Sequence, residues 1–260
     1  MTLRQHILIS LLLILPQLVF SQEIALNKSP DTLGVRQFEY KTLQNRAVQP
    51  QCIRLAVTPT VLIIAGTITL LPESNSFYSK YSVHDDVLRI FPNAKSHIDN
   101  YLQFTPLVAV FGLKAIGVKS RSDLINQVVI SAKAELLMNA LVDGMKYCLP
   151  TRRPAGGQNS MPSGHTAQAF VSATILDMEY RDTSLWISVA GYAAAAATGM
   201  YRMINDMHWI SDVLIGAGIG IFSTKVTYYT HRYRWGKNGN KVILPAVYRK
   251  GGGVTFAIIL

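Results

Sequence analysis

Leu55 to Leu71 is a run of 17 residues without a charge. Five more apolar segments follow it: Leu102–Val118, Leu124–Val142, Gly164–Leu176, Leu185–Met200 and Trp209–Phe222. Segments of this length, separated by short polar stretches, read as helices. The chain is therefore expected to be all-α, a bundle of about six helices. With 260 residues and 49% hydrophobic content it can bury one substantial core. The expected domain is 55–226. Before it, residues 22–54 read as irregular, and Pro72 to Asn100 reads as a polar connector with turn signals at Pro72 and Pro92-Asn93. After it, residues 227–260 form a basic tail in which Val242-Ile243-Leu244 and Val254-Thr255-Phe256 flank Gly251-Gly252-Gly253, the pattern of a hairpin. Ala193–Ala197 and the Gly216-x3-Gly220 spacing predict tight helix packing.

The first residues carry an address. Arg4 precedes an apolar stretch from Ile7 to Phe20, and Val19-Phe20-Ser21 suits a signal peptidase, so 1–21 reads as a signal peptide. Export to a bacterial envelope follows. Cys52 and Cys148 are the two cysteines; they could pair there, which two lone cysteines do not establish. The formal charge is +10, and seven Lys/Arg with no Asp or Glu lie between Lys225 and Leu260. Basic residues gathered in one tail are not arranged as a nucleic-acid surface, and anionic lipid headgroups or a phosphorylated substrate explain them as well as nucleic acid does. No segment is a clean 20-residue apolar span. If Leu102–Val118, the most polar segment, does not cross, the active end faces the periplasm and the basic tail the cytoplasm. An integral membrane protein is the favoured reading, and a periplasmic protein attached peripherally to the membrane also fits.

Three short clusters carry the chemistry: Lys146-x6-Arg153-Pro154, Pro162-Ser163-Gly164-His165 and Arg202-x5-His208-x3-Asp212. A phosphate ester and its five-coordinate transition state need cations from several sides. Arg153 and Arg202 each offer a planar fork of donors, and Lys146 a point charge. Ser163 suits a helix N-cap, Gly164 lets backbone approach a ligand, and the free N–H groups of such a terminus attract anions. If the last helix starts by His208, then His208 and Asp212 share one face at i and i+4. Asp212 then fixes the tautomer and leaves the other ring nitrogen to attack phosphorus. His165, on another helix, protonates the leaving oxygen and later activates water. These roles require opposite protonation states, so the two environments should push the pKa values apart. Helix order brings all three clusters to one end of the bundle without a long loop.

His-x3-Asp alone is weak; with 6 His and 10 Asp in the chain, chance supplies one about once in four such sequences. All three clusters in this order form a strong signal. From about Tyr101 to Thr227 the chain resembles the type 2 phosphatidic acid phosphatase superfamily, which includes bacterial acid phosphatases and vanadium haloperoxidases. The resemblance implies a helical fold, a nucleophile at His208 oriented by Asp212, and a general acid at His165. It implies phosphate binding by Lys146, Arg153, Ser163, Gly164 and Arg202, with no metal or other cofactor, because the cations replace one. The family's serine before the last arginine is here Tyr201.

The expected activity is therefore an envelope phosphatase for a phosphorylated lipid: phosphatidate-like, a polyprenyl pyrophosphate or a lipid A phosphate. A soluble periplasmic acid phosphatase is the alternative, followed by a vanadate-dependent haloperoxidase and a lipid-binding protein with an idle pocket. A metal site of His165, His208 and Asp212 lacks further ligands at suitable spacing. Asp206 reads as loop or cap, and His84 and His231 lack context.

Overall fold

The apolar segments fold into helix in the computed structural model, which describes residues 50–71, 79–92, 94–232, 241–248 and 251–258. Among these residues the chain forms α1 (Pro50–Ile68), α2 (Lys80–Ile90), α3 (Asp99–Leu102), α4 (Thr105–Ala115), α5 (Leu124–Cys148), α6 (Gly164–Tyr180), α7 (Leu185–Ile204) and α8 (Ile210–Thr230). Two strands follow, β1 (Lys241–Tyr248) and β2 (Gly251–Ile258). The expected signal peptide lies outside the described residues. So does the side chain of Cys52, and with it the question of pairing to Cys148.

Helix α6 is the axis of the bundle. Its Ala167, Ala169, Val171, Ala173 and Ile175 are fully buried, touching neighbours all round. Helix α5 lays a stripe of Ile130, Ala134, Met138, Val142 and Met145 into the same core, at helical spacing. Full burial of a side chain such as Ile130 or Ile175 contributes about 1.5–3 kcal/mol. On α8, glycines replace side chains where backbones meet. A Cβ at Gly216 would stand 2.6 Å from the Ser163 carbonyl oxygen, and one at Gly220 would collide with the Ala167 carbonyl. Gly218 faces the other way, with the Pro59 carbonyl of α1 2.9 Å from where its Cβ would stand. The Gly216-x3-Gly220 spacing is thus the seam between α6 and α8.

Several boundaries differ from the sequence reading. Helix α1 begins at Pro50, before the apolar run, and α8 continues to Thr230. Helices α5 and α7 run on past their apolar segments, so Lys146 and Arg202 lie in last helical turns. A helix does not stop where its hydrophobicity does, because polar side chains can occupy an open or a functional face. The polar connector contains α2. Ser79 caps it, accepting from Ser82 N at 3.2 Å, and Val83 and Val87 pack on Met203, Ile204 and Val213. Of Leu102–Val118 only Thr105–Ala115 becomes α4, Leu102 closing the preceding α3, and Pro106 sits in the first turn of α4, where its missing N–H costs nothing.

The tail strands pair antiparallel, Lys241 with Ile258 and Tyr248 with Gly251. The three glycines therefore lie inside β2 instead of between the strands. Far from the clusters, the Glu179 carboxylate is buried and accepts from Tyr228 Oη (2.6 Å), Ser122 N (2.8 Å) and Gln127 Nε2 (3.1 Å). A buried carboxylate needs such donors. They tie α5, α6 and α8 together at that end.

Candidate active site

Ser163 ends an extended segment and caps α6, its hydroxyl 3.4 Å from Thr166 N and 2.8 Å from Thr166 Oγ1. Its own N–H donates to the Asp212 carbonyl at 3.0 Å, so the first turns of α6 and α8 are joined by main chain. Beside the cap, Lys146 Nζ lies 3.6 Å from where a Gly164 Cβ would stand. The ammonium therefore hangs over the positive end of α6. Two sources of positive potential facing one point make an anion site.

His208 precedes α8. The N-cap is Trp209, and Asp212 sits at the third helical position, where its Oδ2 accepts from Trp209 N at 3.0 Å. The expectation that His208 begins the helix is corrected by this cap: the carboxylate serves the helix terminus first. The i, i+4 pairing survives, with His208 Nδ1 3.5 Å from Asp212 Oδ2, an ion-pair separation longer than a hydrogen bond. Both side chains are almost wholly buried. Ser160, also buried, donates to Asp212 Oδ2 at 2.5 Å. Its loop turns at Gly156 and Gly157, whose φ values of 91° and 92° favour glycine.

Arg202 is buried on α7. Its Nη1 donates to Asp99 Oδ2 at 2.8 Å, while Nε has no hydrogen-bond partner among the described residues. Nδ1 of His208 has none either. His165, in the first turn of α6, places Nε2 2.9 Å from Asn100 Oδ1. Arg153 is half-buried, with its N–H bonded to the Gly157 carbonyl at 3.1 Å, and it acts electrostatically on both Lys146 and His208. Lys146, His165, Arg202, His208 and Asp212 are likewise within electrostatic reach of one another. The three sequence clusters thus meet at one end of the bundle.

The two histidines do not diverge as expected. Burial, and after it the Arg202 charge, lowers His165 to about 4, with Asp99 opposing. Burial also lowers His208, against the upward pull of Asp212. Lys146 is lowered by burial as well, Asp143 opposing and Arg153 and Arg202 adding to the effect. A pocket that collects cations and excludes water disfavours every further positive charge inside it.

Three contributors were missing from the sequence reading. Asp99, Asn100 and Ser160 lie outside the motifs, in stretches with no periodic pattern. His84 also acquires a context: its Nε2 is 2.6 Å from Asp206 Oδ1, and its ring lies 5.1 Å from Trp209, whose Nε1 donates to the Arg152 carbonyl at 2.8 Å. Asp206 holds a φ of 62°, a left-handed turn that Asp tolerates. His231 Nε2 lies 2.8 Å from Asn126 Oδ1, at the opposite end of α8. Tyr201 is half-buried on α7. Among the described residues no three His, Cys, Asp or Glu side chains are grouped to hold a metal ion.

A lipid A 1-phosphatase of Porphyromonas gingivalis is 41% identical over 155 residues, which make up 57% of this chain and 35% of that protein. The chain thus spans about a third of that relative's length. The crystal structure of Aquifex aeolicus LpxE aligns with a TM-score of 0.44 and 23% identity, over 56% of this chain and 93% of the other. Residues 124–236, which hold α5 to α8 and all three clusters, match the model of the PAP2 superfamily.

Proposed function

We propose that this chain is an envelope phosphatase that hydrolyses a lipid phosphate ester of the lipid A 1-phosphate kind through a phosphohistidine on His208. The observation that carries the reading is the buried Arg202 Nε, which has no partner among the described residues and is set among Lys146, Arg153, His208 and the open end of α6. Buried donors without partners are costly unless a ligand satisfies them. A phosphate does so, and the surrounding cations neutralise its charge in the way a metal would elsewhere.

Asp212, held by Ser160 and the Trp209 N–H, keeps the proton of His208 on Nδ1. Nε2 is then the nitrogen that attacks phosphorus. His165 gives a proton to the leaving oxygen. Water then attacks the phosphohistidine, with His165 as base. The substrate class follows the similarity to a protein called a lipid A 1-phosphatase.

Membrane attachment is supported by the apolar surface. Val57, Val61, Ile64 and Ile68 form an exposed stripe along α1, and Leu124, Ile125, Val128 and Leu136 another on α5. Such stripes suit acyl chains better than water. Among the described residues α8 alone is long and apolar enough to cross a bilayer, though most of it is buried inside the bundle. The active end is assigned to the periplasmic side.

The test is phosphate release from lipid A 1-phosphate, phosphatidate, a polyprenyl pyrophosphate and water-soluble monoesters, with and without detergent. Lipid A 1-phosphate should be preferred, and His208→Ala should reduce turnover at least ~10³-fold with the thermal melt preserved. Retained hydrolysis in that variant rejects the phosphohistidine. Full extraction of the protein without detergent rejects membrane attachment.

A further inference from the structure

Helix α3 has only four residues, yet it touches two functional side chains on two other helices. Asp99 is 1% exposed and receives Arg202 Nη1 at 2.8 Å. The next residue, Asn100, is exposed and meets His165 Nε2 at 2.9 Å. The segment is held firmly for its size. Asn205 at the end of α7 accepts from Ser96 N (2.9 Å) and donates to the Ser96 carbonyl (2.6 Å) and to Asp99 Oδ1 (3.3 Å). Gln103 Nε2 closes the other side on the Asn100 carbonyl at 2.9 Å. Asn100 is therefore presented to the imidazole from a fixed support, and Asp99 ties that support to the phosphate-binding arginine.

An imidazole that exchanges a proton with substrate must keep its other nitrogen in a known state. His208 has Asp212 for this purpose. Within its own cluster His165 has no carboxylate at that spacing; its ring nitrogen meets an amide instead. We propose that Asn100 is the positioning residue of His165: its side-chain oxygen accepts from Nε2–H, fixing the tautomer so that the leaving oxygen exchanges its proton with Nδ1.

The inference rests on the phosphatase reading above, and the step balances as follows. The His208 nitrogen gives its electron pair to phosphorus while the ester P–O bond breaks with its pair on oxygen. That oxygen takes the proton that the monoanionic ester has handed to Nδ1 of His165, and the imidazole left behind keeps its Nε2 proton toward Asn100. In the second half a water oxygen bonds to phosphorus, its proton passes to Nδ1, and the P–N pair returns to His208. A neutral amide suits this place because it accepts a hydrogen bond without adding charge beside an anionic substrate.

The experiment compares two leaving groups. An alkyl alcohol must be protonated as it departs, whereas p-nitrophenolate leaves as an anion without help. Since kcat/KM reports only steps through the first irreversible one, hydrolysis of the phosphohistidine does not enter the comparison. Full-length wild type, Asn100→Leu and Asn100→Asp are assayed with hexyl phosphate and with p-nitrophenyl phosphate, and orthovanadate inhibition is measured on each. Asn100→Leu should lower kcat/KM for hexyl phosphate about 10- to 100-fold. The nitrophenyl ester should change less than about threefold, and the vanadate inhibition constant should hold.

Asn100→Asp keeps the acceptor and should keep the wild-type ratio between the two substrates. Equal losses on both substrates with Asn100→Leu, or none on either, overturn the assignment. So does an Asp variant whose ratio matches that of Leu. Wild type inert toward both esters instead rejects the phosphatase reading on which the assignment rests.

Discussion

Arg202 and Asp99 stand 2.8 Å apart across 103 residues of sequence, and this contact uses one end of the guanidinium while its Nε stays without a partner among the described residues. In the proposed function the arginine is divided between a structural carboxylate and the bound anion. Arg202→Lys keeps the charge but cannot serve both, because an ammonium offers no planar fork. Orthovanadate, as a phosphate mimic, should inhibit the variant about 10- to 100-fold less well, the loss expected for one charge-assisted hydrogen bond. An unchanged inhibition constant would show that Nε does not bind the anion.

The pH profile follows from His165. With burial and Arg202 holding it at about 4, its ring is neutral above that pH. The proton needed by the leaving group must then enter on the phosphate, whose second ionisation lies at about 6. Below pH ~4 the complex carries one proton too many, and above pH ~6 one too few. kcat/KM should therefore peak between these values and fall about tenfold per unit on the alkaline side. A plateau reaching pH 8 would place the proton elsewhere. The lowered His208 agrees in sign, since burial favours the neutral, nucleophilic ring.

Ser160 restrains the Asp212 carboxylate, which in the proposed mechanism orients His208. Ser160→Ala removes the 2.5 Å donor to Asp212 Oδ2 and leaves a buried carboxylate one partner short. The expected cost is ~1–3 kcal/mol of stability. A fall in kcat of about 10- to 100-fold should accompany it, as for other supports of a catalytic group. Thermal melts and steady-state kinetics on the same sample check both. A lower melting temperature with unchanged kcat would confine Ser160 to stability.

Two glycines within helices should respond in opposite directions. Gly216→Ala places a methyl 2.6 Å from the Ser163 carbonyl, so α6 and α8 must separate. A loss of ~1–3 kcal/mol is expected, with reduced turnover, because the same contact sets the spacing of the histidines. Gly144 on α5 has nothing within 4 Å of its added Cβ. Gly144→Ala should be neutral or stabilise by up to ~1 kcal/mol, through propensity alone. Paired melting curves distinguish these outcomes.

What the sequence revealed and what it hid divide along a physical line. Lys146, Arg153, Ser163, Gly164, His165, Arg202, His208 and Asp212 were legible because each sits in a short cluster whose chemistry depends on local spacing. The bundle was legible through its apolar runs. Helix α2 was hidden because its face against Met203 and Val213 is small and the rest of it is polar. Asp99 and Asn100 were hidden because their partners lie 103 and 65 residues away. No periodicity encodes a contact made by a single turn. The start of α8 was misplaced by two residues because Asp212 suits both a histidine partner and a capping carboxylate, and cap geometry decides between them.

The main-chain bond from Ser163 to the Asp212 carbonyl, made beside glycines that admit no side chain between the helices, mounts the proposed nucleophile and acid on one brace. Their separation is a property of backbone and should resist drift as surface residues change. Adaptation to a bulkier or slimmer headgroup must then come from segments outside α3, α6 and the start of α8, which together hold the proposed reacting pair.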